Sequence, residues 1–125
     1  MGLDQYAFAL DKVGEREELA YWRKHNRLQG WMEELWEDKG RPNFDEIENP
    51  MGDFNCQPVQ LTISDIEQLE AHVENKALPD TQGFFFGGDS YEDYEERYKE
   101  SDMGFVMDAR RAIAEGKKVY YDSWW

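Results

Sequence analysis

The stretch Tyr21-Trp22-Arg23-Lys24-His25-Asn26-Arg27 holds the densest set of side chains able to do chemistry. Arg23, Lys24 and Arg27 bring cations, and His25 adds a fourth group that can carry a proton. Forked guanidinium groups hold phosphates and carboxylates through paired hydrogen bonds. Indole and phenol rings stack on flat ligands. Tyr21, Trp22, Arg23, Lys24, Asn26 and Arg27 are therefore the first candidate ligand-binding residues. Phe84-Phe85-Phe86, set between Gly83 and Gly87-Gly88, form a second group. Consecutive aromatics in an extended segment point to both faces. That segment is covered on both sides, or it lines a pocket on one. Trp124, near the end of Tyr120-Tyr121-Asp122-Ser123-Trp124-Trp125, supplies a further aromatic wall.

Each group also has a plainer reading. His25 and Asn26 fall among apolar positions, where buried polar groups are satisfied by neighbouring backbone. Arg23 and Arg27 stand four apart on an expected helix and can pair with surface acids such as Glu34. The aromatics can simply be the core of a chain poor in Ile and Val. These alternatives stay open at the level of sequence.

Signatures of catalysis and metal binding are weak. The chain has no G-x-S-x-G, H-E-x-x-H, phosphate loop or dinucleotide fingerprint. It has two histidines, and His72 lies on a short expected helix among acids. Asp89, Asp93 and Glu96 read as a solvated acidic first turn. Cys56 is the single cysteine, which excludes an intramolecular disulfide. A small buried thiol is the better reading of it. No catalytic residue, metal ligand or cofactor is assigned.

The charge narrows the partners. Against 14 Lys and Arg stand 28 Asp and Glu, a formal net charge of −14. Phosphate contacts need surplus cations, so direct nucleic-acid binding is not expected. Binding to an anionic membrane surface is not expected either. The acidity either keeps the surface solvated or imitates nucleic acid for a basic groove on another protein. No apolar run approaches the length of a membrane span, and the start lacks a secretory pattern. A soluble, cytoplasmic protein follows.

Elements must position these residues. The length fits one domain, 1–125, and 15% aromatic residues argue for a packed core. Residues 3–10 read as a strand, with Tyr6, Phe8 and Leu10 on one face and Ala7 and Ala9 small enough to lie under a helix. A long helix is expected from about Glu15 to Asp38, with acids in its first turn and an apolar stripe of three-and-four spacing. Residues 40–53 read as a flexible acidic Pro/Gly loop. A strand near 55–63 follows, then a short helix at 65–76 opened by a Ser64/Glu67 capping box, with Ile66, Leu69 and Val73 inward. A turn at 78–83 leads into the triple phenylalanine. The last helix spans about 91–115, carries Tyr91, Tyr94, Tyr98, Phe105, Ala109 and Ala112, and ends at Gly116. A final strand starts at Val119. The fold class is α+β: a small, mostly antiparallel sheet of three to four strands, with two long helices and one short helix packed on it.

Several segments together carry a resemblance. They are Gly2-Leu3-Asp4-Gln5-Tyr6, Ala20-Tyr21-Trp22-Arg23-Lys24-His25-Asn26, Phe54-Asn55-Cys56, the run from Leu78 to Gly87, and Tyr120 to Trp125. The chain resembles a family of short, mostly uncharacterised proteins of tailed bacteriophages, including phages of marine bacteria. The likeness spans nearly the whole chain apart from 40–53. It implies a phage origin, work in the infected host's cytoplasm, and weight on Tyr21, Trp22, Arg23, Lys24, Asn26, Phe84, Phe85, Phe86 and Trp124. His25 falls at a variable place in the motif. Similar proteins carry a histidine just after the asparagine, where this chain reads Arg27-Leu28-Gln29-Gly30, so the likeness implies no imidazole role.

The functional expectation is a phage accessory binding protein that sequesters a small anionic ligand, nucleotide-like or a phosphorylated metabolite, or modulates a host component. One alternative is an acidic inhibitor of a host nucleic-acid-handling enzyme, with DNA mimicry at the extreme. Another is a small enzyme acting on a nucleotide or phosphorylated metabolite. A homo-oligomer is compatible with each.

Overall fold

A computed structural model describes residues 3–41, 54, 57–75, 77–78 and 98–124. The triple phenylalanine, Tyr91, Tyr94, Cys56, Trp125 and almost all of 40–53 lie outside them.

Strand β1 (Asp4–Leu10) alternates as its sequence requires. Ala7 and Ala9 are fully buried on the inner face, while Tyr6, Phe8 and Leu10 share the outer one. The chain then turns at Asp11, whose carboxylate accepts from the N–H groups of Val13 and Glu15, both at 2.9 Å. Gly14 completes the turn with φ of +86°, where a Cβ would be strained.

The turn feeds strand β2 (Arg16–Arg23), not the first half of a long helix. This corrects the expectation of a helix from Glu15 to Asp38. A register shift between Ala7 and Phe8, which face Ala20 and Glu18, leaves the intervening Leu19 without a partner on β1, which is a β-bulge. The extra residue breaks the alternation of β2. Leu19 and Trp22 then sit three apart and imitate a helical stripe. Only the second half of the expected helix forms, as α1 (Asn26–Asp38).

Strand β3 (Val59–Leu61) is a short remnant of the expected 55–63 strand and starts just after Pro58. Helix α2 (Ile63–Glu74) begins two residues before its expected start. Its capping box is Thr62/Asp65 rather than Ser64/Glu67. Both pairs have the same spacing, but burial of Ile66, Leu69 and Val73 is unaffected by the choice. Helix α3 (Lys99–Ala114) ends at Gly116, with φ of +85°. There the N–H groups of Gly116 and Lys117 return to the carbonyls of Ile113 and Ala112. Strand β4 (Lys118–Trp124) closes the chain.

The fold is α+β. Four strands form one antiparallel sheet in the order β2-β1-β4-β3. The helices cover its inner face. One apolar cluster joins Ala7, Ala9, Trp22, Val119 and Tyr121 of the sheet to Met32 and Trp36 of α1, Leu69 of α2 and Phe105 of α3. Small alanines on the central strand leave room for these large rings, so helix and sheet meet closely. No helix among the described residues is long and apolar enough to cross a membrane.

The capping box also fixes a charge. Burial would raise the pKa of Asp65, but the Lys39 ammonium at 2.7 Å and the Thr62 N–H and hydroxyl outweigh it and hold the group below the usual aspartate range. A lowered folded-state pKa adds stability above the unfolded-state value, about 3.9, that is lost as pH falls through the folded value. Asp65→Ala is expected to cost about 1–2 kcal/mol near neutrality by urea denaturation. The gap to wild type should narrow below about pH 4. A gap that does not change with pH would remove the charge from this account.

Candidate functional site

The chain passes from β2 to α1 in two residues. Lys24 takes φ of +57°, a conformation rare for a side chain with Cβ. Neighbours hold it there. Its N–H donates to the Leu3 carbonyl at 2.9 Å, and its carbonyl accepts from the Asn26 N–H at 3.1 Å. The Tyr98 hydroxyl is shared between the carbonyls of Arg23 and Lys24, at 3.0 and 3.2 Å.

His25 comes next and is fully buried. Gln5, inward on β1, pairs with it as a second strand would: the His25 N–H donates to Oε1 at 2.8 Å, and Nε2 donates to the His25 carbonyl at 2.9 Å. The imidazole caps α1, since Nδ1 accepts from the Leu28 N–H. A ring nitrogen that accepts carries no proton, so the proton is on Nε2. Nε2 therefore donates to Asp102 Oδ2 at 2.8 Å. The other Asp102 oxygen accepts from the Trp22 indole N–H at 3.0 Å. Tyr98 stacks on the imidazole at 4.1 Å and 9°. Tyr121 extends the network, accepting from Gln5 Nε2 and donating to Gln29 Oε1. Burial pushes its hydroxyl far above the ordinary phenol range.

The motif residues thus separate. Trp22, Asn26 and Arg27 turn inward, with exposures of 4%, 3% and 5%. The Arg27 guanidinium donates to the Leu78 carbonyl at 3.2 Å. Tyr21, Arg23 and Lys24 turn outward. Arg23 lies on a strand and Arg27 on a helix, so they are not a clamp built on one helix face. That premise is corrected together with the helix.

The outward residues belong to a patterned surface. Strand registry lays Arg23, Asp4 and Trp124 in one row, and Tyr21, Tyr6 and Asp122 in the next. Neighbours in a row are about 5 Å apart. A third row is Glu18, Phe8 and Tyr120, and a fourth is Arg16, Leu10 and Lys118. Tyr21 and Trp124 are 56% and 59% exposed. The rings of Tyr6 and Tyr21 stand 5.3 Å apart, and Phe8 stacks on Tyr120 at 5.5 Å. The Tyr21 hydroxyl donates to Asp4 at 2.7 Å, a bond to a carboxylate that raises its pKa. Burial raises that of Asp122. Beside the bulge, a groove of about 500 Å³ is lined by Tyr6, Leu19, Ala20 and Tyr21, with Arg16 and Glu18 at its far end. Arg16 is held by Glu18 and lies 3.8 Å over the Phe8 ring.

Tyr21, Arg23 and Trp124 therefore gather at one end of the outer face, with Lys24 exposed at the corner just past Arg23, while Trp22, Asn26 and Arg27 gather beneath the sheet. Phe84, Phe85 and Phe86 lie outside the described residues. Sequence reasoning anticipated a buried, satisfied His25 but missed Gln5, Asp102 and the capping of α1 by the His25 ring. Asp102 had a signal: it completes the α3 stripe of Tyr98, Phe105, Ala109 and Ala112 at spacings of four and three. Gln5 had one too, being inward by period two with Ala7 and Ala9.

The division is measurable. Trp22→Ala removes a core ring and is expected to cost about 3–5 kcal/mol. Asp102→Ala strips partners from both His25 and Trp22 and should cost about 2–4 kcal/mol. Tyr21→Ala and Arg23→Ala should each stay within about 0.5 kcal/mol of wild type. Chemical denaturation of the four variants checks this, and an outward variant as costly as Trp22→Ala would contradict it.

No known family, no curated protein and no solved structure matches this chain.

Proposed function

We propose that the protein is a non-enzymatic binding protein that takes a small, flat-ringed anionic ligand of the nucleotide type on the outer sheet face. The observation that carries this reading is the groove walled by the Tyr6–Tyr21 pair, with Arg23 two residues beyond Tyr21 on the same face. Its volume, about 500 Å³, falls within the roughly 300–1,000 Å³ of small-molecule sites. A base stacks on exposed aromatic rings without needing a particular hydrogen-bond pattern, and Tyr21 and Trp124 offer such rings. The anionic group belongs on the side of Arg23 and Lys24. Asp122 repels it on the β4 side, and the carboxylate beside Arg23, Asp4, is engaged by the Tyr21 hydroxyl.

The buried His25–Asp102 pair supports a binding role over proton transfer. It would be drawn as a base and its orienting carboxylate, but both side chains have no exposed surface. Its Nδ1 is occupied by the cap of α1. In this reading the chain is a phage-encoded accessory protein. It sequesters its ligand in the host cytoplasm.

The test is native mass spectrometry and calorimetry with a panel of mono- and dinucleotides. At least one should bind saturably. Arg23→Ala, Tyr21→Ala and Trp124→Ala should each weaken that binding about tenfold or more, since one base–aromatic stack is worth about 1–3 kcal/mol. Unchanged affinity in all three folded variants would sink the proposal.

A further inference from the structure

A second cavity lies on the opposite side of the molecule's core, between α1 and α2. Trp31, Glu34, Leu35 and Asp38 recur at spacings of three and four, so they form one stripe of α1. Gln68 and His72, four apart on α2, face that stripe across about 240 Å³. The space is smaller than the roughly 300–1,000 Å³ of pockets that take ring systems. It suits a short linear chain.

The polar groups of the lining are mostly acceptors. His72 Nδ1 donates to the Gln68 carbonyl at 2.7 Å, so in the neutral ring Nε2 keeps a lone pair. Glu34 and Asp38 add two carboxylates. They stand one helical turn apart, where like charges repel. Neither enters an ion pair among the described residues. Lys39, the cation next in sequence, is committed to Asp65 at 2.7 Å. Trp31 and Leu35 supply apolar walls, with Trp31 and His72 rings 6.1 Å apart at 61°. An indole beside carboxylates holds an ammonium group both by charge and by its ring face.

We propose that this cavity binds a primary alkylammonium, with its methylene chain along Trp31 and Leu35 and its charged end between Glu34, Asp38 and His72 Nε2. The site is independent of the outer sheet face, so either assignment can fail alone. The ammonium satisfies acceptors that the described residues leave without a cation and relieves the repulsion between Glu34 and Asp38. The net charge of −14 raises the local concentration of any cation.

The experiment is an NMR titration with n-butylammonium chloride, reading the Trp31 indole and His72 ring signals. Saturable shifts are expected at both. The double variant Glu34→Gln, Asp38→Asn should bind at least tenfold more weakly. n-Butanol, which lacks the charge, should leave the signals in place. Two further arms, 1,4-diaminobutane and Nα-acetyl-lysine methylamide, separate a free diamine from a lysine side chain of a partner, the tighter binder naming the source. Equal shifts with sodium chloride at matched ionic strength would overturn the proposal, as would equal binding by butanol or by the double variant.

Discussion

At the junction of β2 and α1, the side-chain amide of Gln5 does what a neighbouring strand does elsewhere. It meets both the N–H and the carbonyl of His25 and holds the chain as it reverses from sheet to helix. The reversal puts Lys24 in a left-handed conformation and buries the polar side chains that follow it. Buried polar groups without partners cost about 1–3 kcal/mol each. The network around Gln5 therefore decides whether the corner forms. Tyr121 ties β4 to it, and Asp102 ties α3 to it through His25 and Trp22. Elements distant in sequence converge on one turn.

The same turn sorts the motif between two surfaces. Residues before it alternate by the period of a strand, and residues after it follow the period of a helix. Trp22 goes in and Arg23 goes out, and then the first turn of α1 is buried as a whole. The Leu19 bulge acts in the middle of β2. It restores the outward placement of Tyr21 after the irregularity and opens the groove beside it. A flat, regular strand would have no such groove.

The charge distribution has the same logic. On the outer face, Arg16, Arg23 and Lys118 balance Asp4, Glu18 and Asp122. Taking three from each side leaves 25 acids and 11 bases, so the whole surplus of fourteen lies elsewhere. The aromatic rows thus sit on a neutral field within an acidic molecule. Ions of either sign can approach there without the repulsion that the rest of the surface imposes on anions.

The sequence by itself determined the fold class, the β1 faces, the inward stripe of α2 and the glycine end of α3. Each follows from a local period or a cap, and neighbours in the chain carry that information. It also singled out the segment from Tyr21 to Arg27, which forms the corner between β2 and α1. Tertiary structure decided which of those residues face solvent and which face the core. A one-residue bulge is set by pairing with β1, so Arg16 to Arg23 reads as helix until its partner strand is known. The two-residue shift of the α2 cap depends in the same way on Lys39 reaching Asp65 from α1. Asp102 and Gln5 lie 77 and 20 residues from His25. No spacing rule spans such separations, and only the packed core brings them to one imidazole.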